Sequence, residues 1–234
     1  MSDPNTADKP PVLAFEEVSI EMPQGFDHGI RGASFVLRPG DCCLVRLEWE
    51  SLRSPLTDLA TGVLEPDKGI VKYGGTDWNR MGFSQANRER GRVGRTFEGI
   101  GWVANLDVDE NVILSERHHT WRADSELLHE AETLARQFGL ESLPKTRPSQ
   151  TKRLDLARAS LVRAFMGSPT LLALERPEMS GYPEIMPPLL KQLAAARQRG
   201  AAVLWLTNRP EIWQEAEVRP TIRFTMSGET LVPV

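Results

Sequence analysis

Cysteine is nearly absent from this 234-residue chain: Cys42 and Cys43 are the only two, and they are neighbours in an apolar run. Adjacent residues of one strand cannot meet the geometry of a stapling disulfide, so a disulfide framework is excluded and a reduced, cytoplasmic setting is expected. Long apolar runs are missing too. No stretch approaches the ~20 residues of a membrane span, and direct membrane insertion is not expected. Met1 to Pro11 is polar and contains prolines; without a basic start followed by an apolar stretch it reads as a disordered segment, neither signal peptide nor anchor. Of four histidines, His118 and His119 are adjacent without a spaced third ligand, while His28 and His129 stand alone. No metal centre and no histidine-activated cysteine follow from that spacing. Positive charge is also not in excess: 28 Lys and Arg face 32 Asp and Glu, for a net charge of −4. Despite basic runs at 88–95 and 145–153, nucleic acid is not an expected partner.

What is present is enough for a full core, with 40% hydrophobic and 26% charged residues. Val12 to Met22 places Leu13, Phe15, Val18 and Ile20 among polar residues, the pattern of a half-exposed strand, and Ala33 to Leu37 repeats it. Pro39-Gly40-Asp41 is a turn signal, and Cys42 to Val45 suits a strand covered on both faces. Ser54-Pro55 predicts a helix start, with serine as cap and proline in the first turn, and Gly62 predicts its stop. Further strands are expected at 70–73, 93–97, 170–174, 201–207, 221–226 and 230–232. Helices are expected at 84–92, from about 105, at 124–138, 149–165, 187–199 and 211–217. Strands alternating with helices predict parallel pairing through right-handed crossovers.

Four phrases in this order carry a resemblance. Leu37-Arg38-Pro39-Gly40-Asp41 and Gly62-Val63-Leu64-Glu65-Pro66-Asp67-Lys68-Gly69 flank the third strand and the first helix. Asn105-Leu106-Asp107-Val108-Asp109-Glu110-Asn111-Val112 opens a helical portion, and Arg153-Leu154-Asp155-Leu156-Ala157-Arg158-Ala159 lies in a later helix. Together they resemble the ATPase subunit of ABC transporters, over most of the chain from about Leu13 to Glu229. The Glu-Pro-Asp turn and the Asn-Leu-Asp-Val phrase look most like the subgroup that includes Mla-type lipid systems. The resemblance implies an α/β fold of P-loop NTPase-like ABC ATPase type: a mainly parallel core sheet, an antiparallel β subdomain and a helical subdomain. It implies one domain over 12–234, with 99–165 approximately the helical and signature subdomain.

Against that frame, the positions that carry the family's chemistry are replaced. A loop of the form G-x-x-x-x-G-K-[ST] lets backbone N–H groups converge on phosphates, with lysine and a hydroxyl completing the site. By resemblance it maps onto Leu47-Glu48-Trp49-Glu50-Ser51-Leu52-Arg53-Ser54. Leucines replace both glycines, Arg53 replaces lysine, and Glu48 and Glu50 would face a polyanion. Arg53 and Ser54 remain as candidate remnants of the phosphate site. The loop is expected to pack through Leu47, Trp49 and Leu52. The glutamine that ligates metal in the family maps to Glu98. The signature Leu-Ser-Gly-Gly-Gln maps to Thr146-Arg147-Pro148-Ser149-Gln150, with only Gln150 matching. Glu175 stands for the metal-associated aspartate, and Arg176 for the glutamate that polarises the attacking water. A permanently charged guanidinium cannot act as a general base. Asn208 stands for the switch histidine and Tyr182 for a following aspartate. Each substitution also has a plain reading, as an ordinary loop, a solvated helix start or an exposed carboxylate. Trp49, Trp102, Trp121, Trp205 and Trp213 read as core or interface packing.

The expectation is therefore an ABC ATPase-like chain without hydrolysis, a structural or regulatory subunit. By resemblance it would pair with a second ABC ATPase-like subunit beneath a membrane permease, at the inner face of the membrane. Glu98 and Glu175 are its candidate metal-associated positions, but no bound cofactor and no metal are expected. Two alternatives stand beside it. One is a divergent subunit that still binds ATP and Mg²⁺ through Arg53, Ser54 and Glu175; the other is a soluble interaction module detached from any transporter.

Overall fold

The computed structural model describes residues 10–47, 53–97 and 101–234. The expected disordered start lies largely outside them, as do Glu98 and the central part of the 47–54 loop. In chain order the elements are β1 (Leu13–Ile20), β2 (Ile30–Leu37), β3 (Cys42–Leu47), α1 (Leu56–Ala60), β4 (Lys68–Tyr73), β5 (Thr76–Asp77), α2 (Phe83–Arg90) and β6 (Val93–Thr96). They continue with α3 (Val108–His119), α4 (Asp124–Gln137), α5 (Arg153–Phe165), β7 (Leu171–Glu175), α6 (Met186–Gln198), β8 (Ala202–Thr207), α7 (Pro210–Gln214), β9 (Ile222–Ser227) and β10 (Thr230–Pro233).

Two sheets result. The first is antiparallel, in the order β2-β1-β4-β5; the second runs β10-β9-β3-β8-β7-β6. In the second, β6, β7, β8, β3 and β9 are parallel neighbours, and only β10 pairs antiparallel. The core follows from the period of two. Along β3, Cys42 and Leu44 enter a cluster with α3, α4, α5 and α6, while Cys43, Val45 and Leu47 enter a second cluster with α1 and the antiparallel sheet. A strand buried on both faces has no polar side to spare, which is why β3, β7 and β8 read as continuous apolar runs. Burial pushes the Cys42 thiol up to about 11 and the Cys43 thiol higher still, so neither is a reactive thiolate.

Several boundaries differ from expectation for identifiable reasons. In β1 the four apolar residues are all buried, but Phe15 and Val18 are three apart. An irregularity in register between them, with Glu17 at φ 52°, restores the inward phase. The first helix is only five residues: Pro55 is its cap, in helical conformation, and Ser54 Oγ accepts from the Leu56 N–H at 3.3 Å. Gly62 ends the turn as expected, at φ 65°, and the Trp78 ring packs so closely there that a Cβ would lie 2.6 Å from it. The helix expected from 149 begins at Arg153, because Pro148–Gln150 forms a separate 3₁₀ turn. Asp107 caps α3 in a reciprocal box with Glu110. The short strand β5 had no signal beyond the preceding Gly74-Gly75 turn. Of the tryptophans expected to pack, Trp205 is fully buried, whereas Trp121 is fully exposed.

Candidate functional site

In an open parallel sheet the side chains available for chemistry gather at the carboxyl ends of the strands. Here those ends are Leu47 of β3, Thr96 of β6, Glu175 of β7 and Thr207 of β8. Glu175 is the last residue of an otherwise wholly buried strand, so its carboxylate emerges where the sheet stops covering itself. It meets α1 on one side and on the other lines a cleft shared with α5.

On the α1 side, the Arg95 guanidinium is the centre of a tight cluster. It pairs with Asp58, donates to Glu175 Oε1 at 2.5 Å and to Thr57 Oγ1 at 3.1 Å, and reaches Thr61 Oγ1 at 3.4 Å. The Thr57 hydroxyl itself donates to Glu175. The Glu175 N–H donates to Thr96 Oγ1 at 3.0 Å, and the Phe97 ring covers the guanidinium at 4.6 Å. The side chains of Arg95, Asp58 and Glu175 are only 12%, 14% and 16% exposed, so breaking one member strands the others in a poorly solvated place. Sequence reasoning missed Arg95, Thr57 and Asp58. The signal was a charged residue, Arg95, in the interior of a short strand beside a fully buried threonine in the first helix.

A divalent cation would favour this kind of donor set, two carboxylates and a hydroxyl. The point on which they converge is taken by the Arg95 guanidinium, so a metal does not fit while Arg95 holds that place. No group of three or more metal-ligating side chains stands together among the described residues.

The next residues on the β7 exit are also buried. Arg176 is only 4% exposed, with a left-handed backbone at φ 41°, and its N–H donates to the Leu206 carbonyl at 2.9 Å. Burial pulls its pKa down, partly countered by Glu178. Glu178 is completely buried. It accepts from Thr207 Oγ1 at 2.5 Å and from Trp205 Nε1 at 3.1 Å, and burial raises its pKa against these hydrogen bonds and the nearby Arg209. A lone glutamate three residues after the strand gave no warning of this burial. Tyr182 lies under the Arg209 guanidinium at 4.6 Å.

The structure brings together only some of the sequence candidates. Arg53 does not turn toward Glu175: its guanidinium stacks over Phe26 at 5.4 Å, and its N–H donates to Asp27 Oδ2 at 3.3 Å. Ser54 is buried and engaged with Leu56 in its own turn. Leu47 is buried as expected, while Trp49, Leu52 and Glu98 lie outside the described residues. In the 146–150 segment, Arg147 is neutralised by Asp107 at 3.2 Å and Glu110 at 3.6 Å.

On the α5 side of Glu175 is a cleft of about 290 Å³ lined by Arg153, Arg163 and Arg176 together with Trp102, Ser160 and Ser180. Arg163 stacks over Trp102 at 4.5 Å and Phe97 at 5.3 Å and donates to the Gly101 carbonyl.

Comparison with known proteins agrees with this architecture. The dimeric ABC transporter cassette MJ0796 superposes with a TM-score of 0.79, covering 94% of this chain and 96% of its own, at 14% identity. Another ATP-binding subunit of an ABC transporter gives 0.78 over 95% and 89%, at 17% identity. In sequence, the methionine import ATP-binding protein MetN of Bordetella pertussis is 26% identical over 194 residues, 82% of this chain and 53% of that protein. The intermembrane phospholipid transport ATP-binding protein MlaF of Escherichia coli is 26% identical over 181 residues, 77% of this chain and 61% of its own length. The chain thus spans about half the length of the MetN proteins it matches. No protein-family profile matches it.

Proposed function

Starting from a chain with the fold of an ABC nucleotide-binding domain, we propose that it is a catalytically inactive member of an ABC transport complex, with a structural or regulatory role. The observation that carries this reading is the Arg95 cluster: the carboxylate of Glu175, which would serve a metal in the resembling family, holds an internal guanidinium instead. Two further features support it. Arg176 occupies the place of a general base but is a cation, and a base typically contributes ~10²–10⁴-fold to such a reaction. Arg53, in the place of the phosphate-loop lysine, is committed to Phe26 and Asp27.

In this reading the chain pairs with a second ABC ATPase-like subunit and sits beneath a permease, on the inner face of the membrane. No helix among the described residues is long and apolar enough to cross a membrane, so attachment goes through the permease. The Gly99 to Trp121 region, which includes α3, lies nearest the permease, within the helical and signature subdomain at 99–165. The Glu65-Pro66-Asp67 turn and the Asn105-Leu106-Asp107-Val108 phrase favour a lipid cargo, as in the subgroup they resemble.

Two measurements test the proposal. ATP turnover by the purified chain should equal the buffer blank, and Glu175→Gln should not change it; turnover that Glu175→Gln abolishes would identify a working, divergent ATPase. Affinity purification from native membranes should recover a permease together with a second ATPase subunit. Recovery of soluble partners alone would favour a detached interaction module.

A further inference from the structure

The opposite end of the parallel sheet holds a trough that the proposed role does not use. Beside Cys42, the first residue of β3, α6 and the 217–219 turn enclose about 320 Å³, within the range of ligand pockets, ~300–1,000 Å³. Its floor is apolar: Cys42, Leu190, Leu193 and Val218 are all buried. Its wall follows α6 from Pro187 to Arg197, a rise of about 15 Å along the helix axis. The space is therefore long and narrow.

Its charge is one-sided. Lys191, Arg197 and Arg219 line it against one carboxylate, Glu217, and none of the four has an ion-pair partner among the described residues. Two neighbouring carboxylates turn to backbone donors instead: Asp41 Oδ2 accepts the Arg38 N–H at 2.7 Å, and Glu215 Oε1 accepts the Glu217 N–H at 3.3 Å. Arg197 is held in place. Its Nε donates to the Gly40 carbonyl at 2.9 Å and its Nη1 to the Val218 carbonyl at 3.0 Å. Those carbonyls orient the guanidinium without neutralising it. Its Nη2 makes no hydrogen bond among the described residues and stays open to solvent, unlike the enclosed Nε atoms of Arg95, Arg158 and Arg163. β3 and β6 run into 48–52 and 98–100 at their carboxyl ends, whereas this trough lies beside the amino end of β3.

We propose that this trough binds a medium-chain carboxylate, an unbranched acyl chain with an anionic head. The head accepts from Arg197 Nη2 at the end of the trough where Arg219 follows Val218. The chain lies over Leu193 and Leu190 toward Pro187. Covering it removes apolar surface from water, and the oriented guanidinium selects a charged head over a neutral one. The inference does not rest on the inactive-subunit reading, because the trough shares no residue with the Arg95 cluster or with the 47–54 loop.

Calorimetric titration of the full chain tests it, with octanoate, octan-1-ol and acetate as probes. Octanoate should saturate with a Kd at or below about 1 mM. Octan-1-ol lacks the charge and acetate lacks the chain, so each should bind at least ~10-fold more weakly. Arg197→Gln should weaken octanoate by ~10-fold or more. Arg219→Asn, which suits the left-handed backbone at φ 46°, should weaken it by ~3-fold or more. Ala194→Trp, at an exposed wall position, fills the trough and should abolish binding, while Arg163→Gln leaves it unchanged. Near-UV circular dichroism checks that each variant is folded. The proposal is overturned if octanoate does not saturate, if octan-1-ol binds as tightly, or if folded Arg219→Asn or Ala194→Trp binds as wild type. Loss of binding in Arg163→Gln would also overturn it, by placing the ligand in the α5 cleft.

Discussion

The two sides of Glu175 handle charge in opposite ways. Toward α1, Arg95 meets Asp58, Glu175, Thr57 and Thr61 through its terminal nitrogens, while its Nε has no partner among the described residues. Toward α5, Arg163 is stacked on two rings with its Nε likewise unmatched, and Arg153 donates to Ser180, with no ion pair to either among the described residues. The first is an ion cluster centred on Arg95; the second places Arg153 and Arg163 on a cleft with no carboxylate paired to them among the described residues. Glu175 belongs to the first and lines the second. What distinguishes them is where the neutralising carboxylates sit: Asp58 reaches Arg95 from α1, and nothing comparable reaches Arg163 from α5 among the described residues.

The largest effect should come from breaking the Arg95 cluster. Arg95→Ala leaves Asp58 and Glu175 facing each other without a cation, and a loss of about 3 kcal/mol in a urea melt is expected. The same variant should regain part of that stability in millimolar Mn²⁺, since two carboxylates and a hydroxyl would then be free to coordinate it. No metal effect on stability would show that these oxygens do not converge. Glu175→Gln removes one carboxylate and keeps hydrogen-bonding capacity toward Arg95 and Thr57; about 1.5 kcal/mol should be lost, less than for Arg95→Ala. If Glu175→Gln costs more, Arg95 is not the centre of the cluster.

Toward α5, Arg163→Gln breaks no ion pair among the described residues. A loss near 1 kcal/mol from ring stacking and one hydrogen bond is expected, small beside Arg95→Ala. Glu178 gives a pH signature. Its carboxyl is buried among neutral donors and its pKa is raised in the folded chain, so the folded state holds its proton longer than the unfolded state. Stability should therefore fall as pH rises from the unfolded value near 4.3 toward the raised one. Glu178→Gln can still accept from Trp205 and donate to Thr207. It should be more stable than wild type at pH 8, by about 0.5–1 kcal/mol, with the gap closing by pH 4 in paired thermal melts. An equal gap at both values would mean that Glu178 does not titrate in that window.

Much of the frame was legible in the sequence because burial imposes a simple pattern. A strand covered on both faces must be apolar throughout, and Cys42 to Val45, Thr170 to Leu174 and Ala201 to Thr207 announced three central strands. The alternation in β1 was visible, but the irregularity that makes it work was not, since Glu16-Glu17 reads locally as two ordinary polar residues. Helix starts were legible only approximately: the one expected from about 105 begins at Val108, behind the box of Asp107 and Glu110, and those near Pro55 and Pro148 were displaced as well. The site was legible by position and not by partnership. Glu175 could be placed at a strand end from spacing, but Arg95 lies 80 residues away in sequence, and only the parallel pairing of β6 with β7 brings them together. Arg53 was read as a phosphate remnant because of its place in the chain; its stacking on Phe26 depends on a loop that sequence spacing does not locate.

In the proposed inactive reading, the Arg95, Asp58 and Glu175 cluster stands where a nucleotide-bound metal would otherwise sit. That reading is tested most directly by titrating Mg²⁺-ATP into the purified chain by calorimetry, beside an Arg53→Ala variant. Neither protein should give saturable heat up to about 1 mM ATP. Micromolar binding that requires Mg²⁺ and disappears in Arg53→Ala would contradict it.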